Sequence, residues 1–140
     1  MDATGKSVQC VVVTPERAVL DEAVDFVALP MYDGELGVLP GRAPLIGRLG
    51  YGELRIRRAT DTRRFYIDAG FAQVRANVVT VLTPHAFRAE EINPAAAEEA
   101  LKKAKGIAVT PEEQIALLKA QQRARAQLAV ARRARENLRQ

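Results

Sequence analysis

The sequence predicts an α+β chain: an antiparallel β-sandwich or barrel over residues 1–88, then an antiparallel two-helix hairpin over residues 89–140. Three observations carry this. From Ser7 to Phe87, short β-prone runs cut by turn residues recur at intervals of about 8 to 12 residues, the rhythm of an all-β domain. No helical stretch lies among them to serve as a parallel crossover. After Asn93 the composition changes abruptly to Ala, Glu, Lys and Arg, with helix caps at the right places.

Val8 to Val13 reads as the first strand, ended by Thr14-Pro15. Arg17 to Leu20 and Ala23 to Leu29 follow, the second alternating Val24, Phe26 and Ala28 against Asp25, Val27 and Leu29. Asp33-Gly34 is suited to a tight hairpin turn, because both residues tolerate positive φ. Behind it Gly37, Gly41, Gly47, Gly50 and Gly52 recur beside Pro40 and Pro44, a pattern that predicts a bent but fixed loop anchored by Leu36, Val38, Leu39, Leu45 and Ile46. Glu53-Leu54-Arg55-Ile56-Arg57 alternates cleanly, so one face should be buried and the other wet. Arg64 to Ala69, Phe71 to Arg75 and Val78 to Leu82 complete the strands, with turns at Thr60 to Thr62 and Ala76-Asn77.

Asn93-Pro94 supplies an N-cap and a first-turn proline, and Gly106 stops the helix that follows. Glu98 with Lys102 and Glu99 with Lys103 are favourable pairs one turn apart. Thr110-Pro111-Glu112-Glu113 is a capping box, and no Gly or Pro interrupts the chain from there to Gln140. That allows a second helix about 40 Å long. The short link from Gly106 to Val109 favours a hairpin. Half of its apolar stripe, Leu117, Ala120, Ala124, Leu128, Ala131 and Leu138, is alanine, and alanine contributes well under half of what a buried leucine does. The hairpin should therefore dock weakly and be the least stable part of the chain.

Charge is unevenly placed. Up to Phe87 ten basic residues balance ten acidic ones, whereas from Arg88 eleven basic residues face seven acidic. Between Lys119 and Arg135 no acidic residue occurs among Lys119, Arg123, Arg125, Arg132, Arg133 and Arg135. An acidic partner is the expected counterpart. A β-sandwich module that engages nucleic acid through this helix is the alternative, weakened by the absence of aromatic residues for stacking in the basic segment.

Catalytic chemistry is hard to place. Gly5-Lys6-Ser7 matches the end of a phosphate-binding loop but lacks the upstream glycine and strand. His85 is the single histidine, in a turn-like stretch, and Cys10 the single cysteine, in an alternating strand. Neither has companions for a metal site or an assisted nucleophile. Asp33 and Glu35 flank a turn, where Asp serves the backbone. No catalytic residue, metal or cofactor is expected. No apolar run reaches the roughly 18 residues of a bilayer span, and the polar start of the chain predicts a reducing, cytoplasmic setting.

The stretch Gly34 to Leu45, reading Gly-Glu-Leu-Gly-Val-Leu-Pro-Gly-Arg-Ala-Pro-Leu, resembles the signature of the epsilon subunit of F-type ATP synthases. Val11 to Arg17, Asp68 to Phe71, Asn77 to Leu82 and the two helices fall in the order of that family. The resemblance implies a ten-stranded sandwich bound to the gamma subunit and resting on the membrane ring, peripheral to the cytoplasmic face of a bacterial inner membrane. Such a subunit is non-catalytic, turns with the rotor in proton-driven ATP synthesis, and restrains ATP hydrolysis through its helical hairpin. It further implies that Glu35 and Arg42 face the ring, with Arg42 where the family commonly has His. Arg123, Arg125, Arg132 and Arg133 would meet an acidic loop of the catalytic beta subunit. The ATP motif of some bacterial members, Ile-Asp-x-x-Arg-Ala, is here Ile92-Asn93-Pro94-Ala95-Ala96-Ala97. With Asn93 and Ala96 in place of Asp and Arg, tight ATP binding is not expected.

Overall fold

The computed structural model of the chain describes residues 7–138. It contains eight strands: β1 (Val8–Val13), β2 (Ala18–Val24), β3 (Phe26–Met31), β4 (Gly34–Val38), β5 (Leu45–Arg58), β6 (Asp61–Arg75), β7 (Val78–Leu82) and β8 (Ala86–Arg88). A 3-10 turn at Ala89–Glu91 leads into α1 (Pro94–Lys103) and α2 (Pro111–Leu138). Eight strands, rather than ten, form this sandwich among the described residues. The Gly5-Lys6 part of the loop-like match lies outside the described residues.

The count is lower because strands expected to be separate are continuous. Residues 64–69 and 71–75 belong to one strand, β6, that bends where Ala69 and Gly70 take φ of 65° and 111°. A side chain at Gly70 would run into the carbonyl of Leu82, so the bend needs a glycine there. Similarly, the glycine-rich segment does not loop throughout. Only Leu39 to Pro44 is irregular, and β5 runs straight through Gly47, Gly50 and Gly52. At Gly52 the missing side chain makes room for Pro30 of the neighbouring β3, whose Cβ would lie 2.9 Å from an added Cβ. Close approach, not turning, is what this glycine serves.

The sheet order is β2-β1-β7-β6-β5-β3-β4, with β8 on β6. The two long strands pair from Leu45↔Val74 at one end to Arg58↔Asp61 at the other. One end continues into β7, β1 and β2, and the other into β3, β4 and β8, so the sheet folds over on itself into two layers. Every neighbouring pair is antiparallel except β1 with β7, which run parallel from Gln9↔Val78 to Val13↔Leu82. The expected wholly antiparallel pairing is corrected there, because the intervening sandwich itself returns the chain to β1 in place of a crossover helix. The β3–β4 hairpin turns at Tyr32-Asp33, closing on Met31↔Gly34, one residue earlier than Asp-Gly suggested. It is Ala76 and Asn77, at φ of 51° and 63°, that form the tight β6–β7 turn with both residues at positive φ.

The core lies between the layers. Val8, Cys10 and Val12 of β1 are fully buried with Val27, Leu29, Leu54, Ile56, Ile67, Val79 and Val81. Each such side chain contributes roughly 1.5–3 kcal/mol by leaving water. Cys10 behaves as the small apolar residue its alternating strand suggested. Burial pushes its thiol up to about 12.

Both helices start on the residues that the sequence marks. Asn93 Oδ1 accepts from the amides of Ala95 and Ala96 at 3.0 and 3.3 Å. Thr110 Oγ1 accepts from Glu113 N at 3.1 Å while the Glu113 carboxylate accepts from Thr110 N at 3.4 Å. The two helices pack on each other, and α2 lies across β5 and β6.

Candidate functional site

The register of β5 with β6 sets out three cross-strand pairs on one outer face: Tyr51 opposite Asp68, Glu53 opposite Tyr66, and Arg55 opposite Arg64. Period-2 geometry makes this the face that the alternating Glu53-Arg55-Arg57 pattern marks as wet. Here it is largely covered. Glu53 and Asp68 are only 6% and 4% exposed, because α2 lies on top of them.

Burying two carboxylates requires cations, and α2 supplies one to each. Arg123 Nε lies 3.0 Å from Asp68 Oδ1, and Arg133 Nη1 lies 3.0 Å from Glu53 Oε2. Tyr66 donates its hydroxyl hydrogen to Asp68 Oδ1 at 2.7 Å. Burial, with the adjacent Asp68 carboxylate, pushes the Tyr66 phenol upward. The Arg123 guanidinium also sits over the Tyr51 ring, 5.5 Å from its centroid. Glu53 is held further from below, by Arg64 and by Arg55 at 3.6 Å. Between the two ion pairs Val130, Ala126 and Ala134 pack on Tyr66, Ala89, Tyr51 and Ile92. This apolar contact is much smaller than the sandwich core.

The helix therefore presents two faces. Ala124 and Ala131, from the stripe legible in the sequence, are buried on the α1 side, where Ala97 and Ala104 are buried too and Gln121 donates to the Ala104 carbonyl at 2.8 Å. Leu138 of that stripe lies outside the described side chains. The face that meets the sandwich carries Arg123, Ala126, Val130, Arg133 and Ala134, and sequence reasoning missed it. One branched apolar residue among arginines and alanines gives almost no periodic signal.

The four basic residues expected to act together are divided. Arg123 and Arg133 hold the sandwich, whereas Arg132 is exposed with Glu136 of its own helix at 3.9 Å, and Arg125 is exposed beside the groove between α2 and β5. Glu35 lies on β4, ion-paired with Arg55 at 3.1 Å. Arg42 is exposed in the loop from Leu39 to Pro44, which is pinned where Gly41 N donates to Asn77 Oδ1 at 2.7 Å. No hydrogen bond or ion pair joins Glu35 to Arg42 among the described residues. The Asn93 side chain is spent on capping α1, and Ala96 is exposed in its first turn. Among the described residues no group of three His, Cys, Asp or Glu side chains could hold a metal ion. Among the described residues no helix is long and apolar enough to cross a membrane.

A second surface is apolar and uncovered. Phe71 pairs with Leu82 across β6 and β7, and both are 54% exposed, with Ile46 of β5 at 76%.

Residues 7–89 match the family described as ATP synthase, Delta/Epsilon chain, beta-sandwich domain. The chain is 50% identical over 127 residues to the ATP synthase epsilon chain of Rhodopirellula baltica, covering 90% of this chain and 99% of that one. It is 48% identical over 93 residues to the epsilon chain of Pelotomaculum thermopropionicum, covering 66% of this chain and 69% of the other. In fold it is similar to a chain of the Euglena gracilis mitochondrial ATP synthase, with a TM-score of 0.81, 24% identity, and coverage of 89% of this chain and 81% of that one. The arrangement of sandwich and hairpin and the sequence likeness over nearly its whole length agree: the chain belongs to the family of ATP synthase epsilon chains.

Proposed function

We propose that this chain is a non-catalytic subunit of the central stalk of an F-type ATP synthase, turning with the rotor in proton-driven ATP synthesis and restraining ATP hydrolysis through its C-terminal helices. The division of labour falls at residue 88: the sandwich, residues 1–88, binds the rotor, and the hairpin, residues 89–140, regulates. The observation that carries the regulatory reading is the double engagement of Arg123 and Arg133 with Asp68 and Glu53. Both arginines are among the four proposed to meet an acidic loop of the beta subunit, and a guanidinium bound to the sandwich is not available to that loop. Docking on the sandwich and docking on the catalytic head are thus mutually exclusive uses of the same charges. Arg125 and Arg132 are exposed and in no ion pair with the sandwich among the described residues, so they meet the acidic loop first.

The uncovered face of Ile46, Phe71 and Leu82 suits the gamma subunit, since an apolar surface of this kind on a small domain marks a protein contact. Glu35 and Arg42 would face the polar loops of the membrane ring, placing the subunit peripherally on the cytoplasmic side of a bacterial inner membrane. Tight ATP binding is not part of this function, because Asn93 caps a helix and Ala96 offers no positive charge. To test the proposal, the tagged subunit is purified from gently solubilised native membranes. Gamma, beta and ring subunits should accompany it, and deletion of residues 89–140 should raise ATP hydrolysis without loss of assembly. Recovery without any synthase subunit, from membranes that contain the enzyme, would refute it.

A further inference from the structure

Most arginines of the described chain that lie near the hairpin are in ion pairs, but three cations around one groove are not. The groove, about 810 Å³, runs between β5 and the middle of α2. Arg48 lines it from the sheet, Lys119 and Arg125 from the helix, and none of the three is in an ion pair among the described residues. No carboxylate among the described residues lines it. Tyr32, Tyr51 and Gln122 complete the polar and aromatic wall, and the Tyr32 ring supports the Arg48 guanidinium at 4.5 Å from its centroid.

Like charges gathered around one groove repel one another. We propose that this groove binds a compact multivalent phosphate anion, of the inorganic phosphate or diphosphate class. Two guanidinium groups offer paired donors that match phosphate oxygens, and Lys119 adds a mobile point charge. The Gln122 amide and the tyrosine hydroxyls are additional hydrogen-bond donors. Arg125 also borders the neighbouring groove between α1 and α2, which is lined by Glu98 together with Arg132 and Arg135.

Because one wall is sheet and the other is helix, the anion exists as a ligand only while the hairpin is docked. Binding therefore adds its free energy to the docked state and works as a clamp. The clamp rests on the reading of the hairpin as a regulatory element, whereas the site does not.

The test is a calorimetric titration of the full chain with sodium diphosphate, with hydrogen exchange of α2 followed in parallel. Binding is expected, weakened at least tenfold by Arg48→Gln and by Arg125→Gln, partly restored by Arg48→Lys, and unchanged by Arg135→Gln. Arg48 is exposed, so its variants should retain the wild-type circular dichroism and melting temperature. Exchange in α2 should slow on addition of the anion. Inorganic phosphate and ATP in the same titration separate the sources: ATP that matches diphosphate and is lost in Arg48→Gln makes the nucleotide's phosphates the ligand, and ATP weaker than diphosphate makes it the free anion. No heat from any of the three, or binding that survives Arg48→Gln and is lost in Arg135→Gln, would overturn the site. Binding without slower exchange would overturn the clamp. Neither result depends on assembly of the synthase.

Discussion

Asp68 and Arg123 stand 3.0 Å apart across the helix–sheet boundary, and this arginine is the only cationic side chain paired with that carboxylate among the described residues. The pair beside it is built differently, since Glu53 keeps Arg55 and Arg64 when α2 is taken away. The two arginines are therefore not equivalent. Arg123→Ala should weaken docking of the hairpin by about 2 kcal/mol, because it strands a buried carboxylate with the Tyr66 hydroxyl alone. Arg133→Ala should cost about 0.5–1 kcal/mol. Hydrogen exchange of α2 amides measures both, and equal effects would count against this account of the seat.

The same asymmetry predicts the response of ATP hydrolysis in the assembled enzyme. Asp68→Asn removes the sandwich's competitor for Arg123 while leaving that arginine for the acidic loop of the beta subunit. Inhibition of hydrolysis should deepen, with the ratio of inhibited to active enzyme rising about fivefold if the pair is worth about 1 kcal/mol. Arg123→Gln should not deepen it, since both partners lose the charge. Steady-state hydrolysis by membranes carrying each variant distinguishes the two.

Gly70 is the least replaceable residue of the bend in β6. Its φ of 111° and the Leu82 carbonyl behind it leave no room for a methyl group. Gly70→Ala should cost about 2–4 kcal/mol and lower the melting temperature accordingly. Calorimetry would check this, and a variant as stable as the parent would show that the bend relaxes.

Alkaline pH should unfold the chain through two buried acids. Both Cys10 and Tyr66 have folded-state values raised above their ordinary ones, so above those ordinary values the unfolded chain loses protons that the folded chain keeps. Stability is complete below about pH 9 and falls as pH rises towards about 12 for the thiol, with the phenol's contribution beginning near 10. Cys10→Ala should flatten the first part of that fall in denaturant titrations at several pH values. The native thiol should also resist alkylation at neutral pH until the protein unfolds.

Phe71→Asp or Leu82→Asp, on the uncovered apolar face, should abolish co-purification of the gamma subunit. Both side chains are about half exposed, so stability should change by only about 0.5 kcal/mol. Retained co-purification would move the gamma contact to another surface.

The sandwich was legible in the sequence wherever alternation and turn chemistry act locally, as at Val8 to Val13, Ala76-Asn77 and the caps at Asn93 and Thr110. It was illegible where meaning depends on what packs beside or above. Gly52 looks like a breaker until Pro30 is seen to need its space. Glu53 looks wet until a helix residue eighty positions later, Arg133, lies over it. The basic segment was visible as a concentration of charge. Its sorting into sandwich-bound Arg123 and Arg133 and exposed Arg125 and Arg132 depends on how α2 is rotated about its axis, and alanine-rich faces do not announce that rotation.

The parallel pairing of β1 with β7 has a consequence for how the chain reaches this state. β1 can zip to β2 as soon as the first hairpin forms, but its second neighbour is among the last strands of the sandwich to be made. Until Val78–Leu82 arrives, one flank of Val8–Val13 offers unpaired amides and carbonyls beside a highly apolar run. Closure of that seam brings together distant parts of the sequence and should be the slow step of folding. The hairpin helices, built from local contacts, form quickly and wait for a seat. During synthesis, the exposed flank of β1 is the place where a misfolded copy would find another.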